Sequence, residues 1–561
     1  FPLHSITETR FLQHHPGGAL CAPTAPRGRQ PGFEQMPVKD IPPEMDDRPL
    51  LPEVIEQLGF GLAQVRAGFI GGGVYFADGA ELLLISAVTD AVAEQWGMSH
   101  IQKGLVVTVV FVGIMVGNFA SGPLADTYGR RHLILLSFLG ILVFSVLSSV
   151  TVNFASLAVA RFLVGAAFGL GQPAWNTLGA EMTPADWRVA MQGISQGFFI
   201  LGELYSTILL LADDPHMQHL HWRWLLQMGA IPAAIFLVVG ACFLHQSPSF
   251  LAVAGRREEA KQVLESMRYD NRAPDVPIDF RVATRASQLP ERIRRNSRRL
   301  SVHSRGELRR QLSVVFGPDL WLSTLINMYS CFVLNFLYYG CLYAFPQVLS
   351  ASSGMEGGAA LELLIGALWE IPGQALGIIC GLFLTRKLNM KIYLILCGIS
   401  TLAFVLGSSH AGKAARVFQT LGFYGIKCFV DIGFVVIYQY AIEIYPTKVR
   451  TTGSAIAVGS GRLAGIISPL IFEIIKSRSS TSVFFYILLG LCLFNLCLID
   501  FLKYETFGVA LKDDIEDKPP EGTGQEAPAS PPAAEAEDEA SPLLADSERA
   551  APLVPEPFHV R

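Results

Sequence analysis

Charged residues lie inside several hydrophobic stretches of this sequence, and their types and spacing are suited to chemistry. Asp78 and Glu81 are the first such pair. A charge at the centre of a bilayer costs about 2.5–3.5 kcal/mol on insertion scales, so such residues usually mark the path of an ion or a solute. A spacing of three places both carboxylates on one helix face, where repulsion between like charges suits one of them to carry a proton. We predict proton or cation coupling at this pair; permanent pairing with a basic neighbour is the structural alternative.

Further residues in or near the hydrophobic stretches are candidates for substrate binding. Lys427 and Asp431 lie four residues apart and could instead neutralise each other on one helix face. Arg462 keeps its charge and needs an acceptor, so a bridge to Asp431 or Glu370 is the alternative to a substrate. Pro372 follows Glu370 closely and predicts a helix break at that point. The full set of substrate-binding candidates is Arg161, Glu203, Tyr339, Glu370, Lys427, Asp431 and Arg462.

The composition is typical of an integral membrane protein. Hydrophobic residues make up 51% of the 561 residues and charged residues only 16%. Twelve apolar stretches lie between residues 69 and 502, and most reach the roughly 20 residues that a helix needs to cross a bilayer. The sequence contains no phosphate-binding glycine loop, metal-ligand cluster or nucleophile motif, so we predict neither an enzyme nor a cofactor or metal site. The charged runs adjoin membrane stretches and do not suggest a nucleic-acid partner.

A polar segment divides the apolar stretches into six and six. We predict an all-α membrane protein in which two six-helix bundles, residues 66–246 and 317–503, are joined by a basic cytosolic linker over residues 247–316. Residues 1–65 and 504–561 are predicted to be disordered cytosolic tails, because their composition cannot bury enough apolar surface. Most of the arginine and lysine between the stretches falls on one side, which places that side in the cytosol.

An internal repeat supports the division into two halves. Glu181, Pro184 and Arg188 follow the fourth stretch in the pattern E-x-x-P-x-x-x-R, and the same pattern begins at Glu443 and ends at Arg450 after the tenth stretch. An offset of six spans is what two parallel repeats, related by an axis along the membrane normal, would produce.

A loop between the second and third stretches carries a specific signature. Its residues, Gly122-Pro-Leu-Ala-Asp126-Thr-Tyr-Gly129-Arg130-Arg131, resemble the G-x-L-A-D-x-x-G-R-[RK] motif of the major facilitator superfamily. Near the start of the third helix, Asp126 would meet the positive end of the helix dipole. The resemblance implies that the arginines pair with acids such as Glu181 and latch the cytosolic face in one state. The alternative is that they only set the topology.

The equivalent loop of the second half is degraded. Thr385 stands where the family has aspartate and Leu388 where it has glycine, so we expect a latch there that is weaker or differently built. The predicted cytosolic gate comprises Gly122, Asp126, Gly129, Arg130, Arg131, Glu181, Arg188, Arg386, Glu443 and Arg450.

A closer resemblance covers nearly the whole membrane region. The segments that carry it are Val74 to Ser86, Trp222 to Trp224, Glu370 to Gly373, Tyr445 to Gly453 and Gly461 to Pro469. They are similar to the synaptic-vesicle-two-related branch of the superfamily, which is allied to organic-ion carriers. The resemblance implies a transporter that works by alternating access around a midplane site.

The resulting hypothesis is a monomeric, proton-coupled, secondary active transporter of a small organic solute, with an organic ion as first choice. A sugar carrier and a vesicle receptor or trafficking protein that does not transport are the alternatives. We expect a multi-pass protein of the plasma membrane or of an endolysosomal or vesicle membrane. Two segments resemble acidic dileucine signals that clathrin adaptors recognise, and they are Asp46 with Leu50 and Leu51, and Glu539 with Leu543 and Leu544.

Overall fold

The computed structural model describes residues 48–281, 309–351, 358–410, 412–446 and 449–507. Its first half contains α1 Leu51–Leu58, α2 Leu62–Trp96, α3 His100–Tyr128, α4 Arg130–Ser149, α5 Phe154–Met182, α6 Arg188–Asp213, α7 Trp222–Gly229 and α8 Ile231–Phe243. Two short helices follow, α9 Pro248–Val253 and α10 Arg257–Asp270. The second half contains α11 Trp321–Ala351, α12 Ala359–Phe383, α13 Arg386–Ser409, α14 Lys413–Glu443, α15 Arg450–Arg478 and α16 Ser482–Ile499.

Helices long and apolar enough to cross a membrane dominate the structure. In the described residues there are eleven such segments, formed by α3 to α6, by α7 together with α8, and by α11 to α16. The helix α2 has 35 residues, of which 24 are buried, so it lies mostly inside the bundle. With α2 included, the long helices correspond to the twelve predicted stretches, and the prediction of an all-α membrane protein is confirmed.

Local sequence signals set where several of these helices begin. The Ser99 hydroxyl accepts a hydrogen bond from the Gln102 backbone N–H, and the Gln102 side chain accepts one from the Ser99 N–H, which caps the start of α3. At the start of α5, Asn153 Oδ1 accepts a hydrogen bond of 2.9 Å from the Ser156 N–H. By contrast, α12 continues through Pro372, so the predicted helix break is absent.

The two halves repeat one packing scheme. In the first half α2 packs against α6, and both α3 and α4 pack against α5. Six spans later α11 packs against α15, and both α12 and α13 pack against α14. The contacts between the halves also repeat, because α3 packs against α15 and α6 packs against α12. This arrangement is the one that parallel repeats predict.

Part of the predicted N-terminal tail is folded. Residues 51–65, which we assigned to a disordered segment, instead form α1 and the first turn of α2. The reason lies in the sequence, because apolar residues recur at the spacing of one helix face and are buried there. These residues are Leu51, Val54, Ile55 and Leu58.

The segment before α1 pairs with the end of the described linker. Leu51 N–H donates to the Arg281 carbonyl over 3.2 Å, and Arg281 N–H donates to Pro49 over 2.9 Å. Leu51 is only 4% exposed, so an adaptor could reach it only after this segment leaves the bundle. Asp46 and the whole second dileucine segment at Glu539, Leu543 and Leu544 lie outside the described residues.

Glycines allow α3 and α5 to pack backbone against backbone. A Cβ atom on Gly165 would lie 2.1 Å from the carbonyl oxygen of Val110, and one on Gly169 would lie 2.2 Å from that of Ile114. Gly113 and Gly117 face α5 in the same way. Small residues at a four-residue spacing on both helices are typical of close helix packing in membranes.

We predict that Gly165→Ala destabilises the protein by about 1–3 kcal/mol, because the new methyl group has to push α3 and α5 apart. The measurement is the thermal midpoint of the purified protein in one fixed detergent. The matched control is Gly197→Ala in α6, where a Cβ atom meets nothing within 4 Å, and where alanine should be neutral or stabilising by up to about 1 kcal/mol. Equal midpoints for the two variants would contradict this account of the interface.

Candidate functional site

A cavity of about 80 Å³ lies between the two halves, where α2, α5 and α6 face α11, α12, α14 and α15. Charged, amide and aromatic side chains all face the same space. The lining residues are Tyr75, Asp78, Gln172, Gln196, Phe199, Ile200, Tyr338, Tyr339, Glu370, Gln374, Asp431, Phe434, Tyr438 and Arg462. Five of the nine residues predicted to act in coupling or substrate binding are therefore in this lining, namely Asp78, Tyr339, Glu370, Asp431 and Arg462.

Asp78 and Arg462 line this cavity from opposite halves. Asp78 is buried in α2, and its Oδ2 atom accepts a hydrogen bond of 2.7 Å from Gln172 Nε2. Its Oδ1 atom has no hydrogen-bond partner in the described structure. Arg462 Nη1 donates to the Tyr339 hydroxyl over 3.1 Å. A bridge from Arg462 to Asp431 or Glu370, the alternative to a substrate, is absent from the ion pairs formed by the described residues.

Glu81 does not line this cavity, although it lies one helical turn from Asp78. Its Oε2 atom is 2.6 Å from Arg161 Nη1, and both side chains are at most 2% exposed. This contact joins α2 to α5 within the first half. It is the pairing with a basic neighbour that the sequence left open as the structural alternative, so Arg161 acts here as the counter-ion of Glu81.

Lys427 connects the two halves through carboxylates. Its Nζ atom lies 2.7 Å from Glu203 Oε2 on α6 of the first half, and it also donates to Glu370 Oε1 on α12. The Tyr338 hydroxyl donates to the second oxygen of Glu203 over 2.7 Å. The ammonium group also lies 5.5 Å from the centroid of the Tyr338 ring, within the range of cation–π attraction.

Asp431 is not the partner that the spacing suggested for Lys427. The lysine binds residues on two other helices, and the pairing with the carboxylate four residues later is absent from the described ion pairs. Asp431 Oδ2 and Glu370 Oε2 are buried without a hydrogen-bond partner in the part of the chain that the structure describes. Both residues line the cavity. Unpaired carboxylate oxygens beside an open space are suited to bind a cation or a proton.

Aromatic rings supply much of the apolar lining. The Tyr339 ring packs edge to face on Phe111, with centroids 4.8 Å apart, and on Tyr338, with centroids 5.3 Å apart. Phe434 packs in the same way against Tyr338, at 5.1 Å. This packing fixes the ring positions, so they can stack on a ligand without a large loss of conformational freedom.

Sequence reasoning missed the amides in the lining, which are Gln172, Gln196 and Gln374. A neutral amide inside a hydrophobic stretch gives a weak signal compared with a charge. The usable signal was their position near the middle of long stretches that also carry intramembrane charges. Amides can donate and accept hydrogen bonds at once, so they suit hydroxyl or carbonyl groups of a solute.

Ion pairs at the cytosolic end of the first half join helices of that half. Arg130 Nη2 lies 3.1 Å from Glu181 Oε1 and 3.2 Å from Asp126 Oδ1. Asp126 is in the last turn of α3, and its carboxylate pairs with Arg130, the first residue of α4. Arg131 Nη2 donates to the Ala241 carbonyl over 2.8 Å. Gly129 joins α3 to α4 at φ +90°, a conformation that disfavours side chains.

The second half has an equivalent ion pair without the loop aspartate. Arg386 contacts both oxygens of Glu443, at 3.0 Å from Nε and 2.9 Å from Nη2. The Thr506 hydroxyl also donates to Glu443 over 2.6 Å. This pair is bidentate, whereas Arg130 reaches one oxygen of Glu181, so the second loop is built differently from the first.

Two further details repeat between the halves at this end. Arg130 and Arg386 each donate to the carbonyl five residues earlier. Arg188 and Arg450 do the same through their Nε atoms, at 3.2 and 3.3 Å. Gly122, another residue of the predicted gate, is not closely packed, because a Cβ atom there would meet nothing within 4 Å.

At the opposite end, which the arginine distribution places outside, ionic contacts cross between the halves. Asp90 on α2 lies 2.6 Å from Lys103 and 3.6 Å from Lys476 of α15. His100 Nδ1 on α3 lies 2.9 Å from Glu473 Oε2 of α15. These contacts hold the outer ends of α2 and α3 against α15.

The outer loop after α6 also reaches the second half. The Ala360 N–H donates to the Pro215 carbonyl over 3.0 Å. Asp214 shapes this loop, because backbone N–H groups of His219, His216 and Gln218 donate to its carboxylate. Burial alone would raise the pKa of Asp214, but these hydrogen bonds hold it below its usual value.

Comparisons with known proteins agree with this architecture. Residues 67–515 match the family described as Sugar (and other) transporter. Synaptic vesicle 2-related protein of Bos taurus is 27% identical over 515 residues, which cover 87% of this chain and 88% of that protein. Organic cation/carnitine transporter 7 of Arabidopsis thaliana is 27% identical over 75% of this chain and 87% of its own length. Putative transporter SVOPL of Mus musculus is 26% identical over 82% of this chain and 92% of its own length.

Solved structures share the fold. A crystal structure of a D-xylose-proton symporter superimposes with a TM-score of 0.61 at 18% identity, and covers 80% of this chain and 99% of its own. The partially occluded inward open conformation of the xylose transporter XylE from E. coli gives a TM-score of 0.60 at 18% identity, with 80% and 99% covered. At this identity the likeness concerns the fold alone, and it confirms the predicted major facilitator fold.

We predict that Arg161→Met destabilises the protein by about 3–5 kcal/mol, because it leaves the Glu81 carboxylate buried without its counter-ion. Arg161→Met combined with Glu81→Gln should recover most of the loss, as measured by thermal unfolding in nanodiscs. The control is Lys103→Met, which breaks a partly exposed pair with Asp90 and should cost about 1 kcal/mol or less. A single variant as stable as the double variant would show that the pair is not needed for stability.

Proposed function

Because the chain belongs to the family of sugar and other transporters, we propose that this multi-pass membrane protein is a proton-coupled transporter of a small organic ion, working by alternating access. The observation that carries the proposal is the central cavity, in which Asp78, Glu370, Asp431 and Arg462 line a space between two packed halves. Charges tolerated at this depth usually belong to a substrate or ion pathway. A site between two repeats can be exposed to either side by rocking of one half against the other.

Three features of the lining favour an organic ion. Carboxylates, a guanidinium and six aromatic rings face one cavity, and such a lining suits a solute with both charge and an apolar body. One relative bears the name organic cation/carnitine transporter. The ion pair Glu203–Lys427 contacts two residues of the lining, because Tyr338 donates to Glu203 and Lys427 donates to Glu370.

A sugar is the second candidate. The amides Gln172, Gln196 and Gln374 line the same cavity, and amides beside aromatic rings suit hydroxyl-rich solutes. The titles of the solved structures with a similar fold name a xylose transporter and a D-xylose-proton symporter.

Two observations support Asp78 as the proton carrier. It lines the cavity, and one of its oxygens lacks a partner among the described residues. Glu81 is paired with Arg161, and separating a buried carboxylate from its counter-ion is costly. Glu81 therefore positions α2 against α5, and Asp78 takes up and releases the proton.

We predict that reconstituted protein accumulates its solute faster under an imposed pH gradient, and that Asp78→Asn removes this acceleration because the side chain can no longer bind a proton. The measurement is uptake into proteoliposomes from a panel of organic cations, organic anions and sugars, with and without the gradient. Asp275→Asn is the control, because it removes the same type of charge from an exposed position after α10 and outside the cavity lining, and it should keep the acceleration.

Unchanged gradient dependence in Asp78→Asn would reject this residue as the carrier. Uptake of sugars alone would favour the second candidate. Absence of flux for every solute, with ligand binding retained, would replace the transport proposal with a receptor role.

A further inference from the structure

The groups around Lys427 resemble the binding site of a cationic ligand. Its ammonium group is enclosed by Glu203 Oε2 at 2.7 Å, by Glu370 Oε1 and by the face of the Tyr338 ring at 5.5 Å. These groups come from α6, α12 and α11, so three helices of both halves surround one cation. Carboxylates combined with an aromatic face are the chemistry that recognises ammonium groups in general.

The cluster contains more carboxyl groups than one ammonium group binds here. Glu203, Glu370 and Asp431 offer three carboxylates to one ammonium. Asp431 lies one turn along α14 from Lys427 and does not bind it.

Unsatisfied atoms of the cluster face the cavity. Glu370 is fully buried and Asp431 is 6% exposed, and each has one oxygen without a hydrogen-bond partner in the described structure. Both residues line the central cavity together with Tyr338. A buried unpaired oxygen is costly, and an arriving cation would satisfy it. Glu370 and Tyr338 therefore contact Lys427 and also line the cavity.

We propose that Glu203, Glu370 and Asp431, with the Tyr338 ring, form a cation subsite for an organic ammonium group, and that Lys427 is its tethered resident cation. An ammonium that enters the cavity competes with Lys427 for these carboxylates. When it takes the place of Lys427 on Glu203, it removes the ionic link from α14 to α6 and so weakens a contact between the halves. This inference deepens the proposed function, on which it rests for the identification of the ammonium as part of the solute.

The test is chemical rescue of Lys427→Ala. This variant removes three methylenes and the ammonium, so propylammonium is the probe that matches the missing atoms. Its binding should raise the thermal midpoint of the variant in a saturable way, because a ligand of the folded state stabilises it. Propan-1-ol, which has a similar size and no charge, should have no such effect. Wild-type protein should require about tenfold more propylammonium, because Lys427 competes for the same carboxylates.

Lys476→Ala is the matched control, because Lys476 lies on α15 of the same half and binds Gln347 and Asp90 at the outer end. Addition of Glu203→Gln, Glu370→Gln and Asp431→Asn to Lys427→Ala should abolish the response to propylammonium, since all three carboxylates of the subsite are then neutral. Where Lys427→Ala cannot be purified, Lys427→Ser leaves nearly the same space for propylammonium and serves as the second variant.

No rise in midpoint for either Lys427 variant, or an equal rise in Lys476→Ala, would overturn the proposal. The readout needs no transport, so it separates the two proposals. A protein that is rescued by propylammonium but shows no flux has the cation subsite and lacks the proposed function. A protein that transports without rescue at position 427 has the function and binds its solute elsewhere.

Discussion

The structure depends on how charge is kept inside a bundle of membrane-length helices. A charged group buried away from water persists when an opposite charge is held in the right position, and removal of one partner is strongly destabilising. Lys427 meets this requirement with Glu203 on one side and Glu370 on the other. The positions of α6, α12 and α14 are therefore coupled at mid-membrane, and any relative motion of the halves has to break or rearrange this contact.

Whether the other ion pairs join helices of one half or of both halves depends on their position along the membrane normal. At the cytosolic end, Arg130 binds Glu181 and Arg386 binds Glu443, and each pair joins helices of one half. At the outer end, Asp90 and Glu473 have partners across the interface. The family resemblance suggested that arginines latch the cytosolic face in one state by pairing with acids such as Glu181. In this conformation these pairs join helices within each half, and the ionic contacts between the halves lie at mid-membrane and outside.

The sequence predicted the features that follow from local or periodic patterns, and it could not predict contacts between residues that are far apart in the chain. Stretch lengths gave the helices, and the E-x-x-P repeat pointed to equivalent ends of the two halves. The partner of Lys427 was misjudged because Asp431 is near in sequence, whereas Glu203 is 224 residues away on another bundle. Asp126 was expected in a loop before the third helix, whereas α3 continues through Pro123 as far as Tyr128 and includes it. The spacing of Asp78 and Glu81 was readable, but their separation into a cavity residue and a paired residue required the position of Arg161.

The likeness between the two halves is kept in the arginine contacts at the helix ends and is lost among the buried ion pairs. Arg130 and Arg386 make the same backbone contact in both halves, because both loops have to end a helix and start another at the same depth. Inside, Arg161 neutralises Glu81 within the first half, while Lys427 reaches from the second half to the first. Because the contacts at the helix ends are similar in both halves, either half can move as a unit. An asymmetric interior means that the buried cation linking the halves belongs to one of them. Under the proposed cation subsite, a cationic solute that replaces it would change the contact between the halves without disturbing the fold of either half.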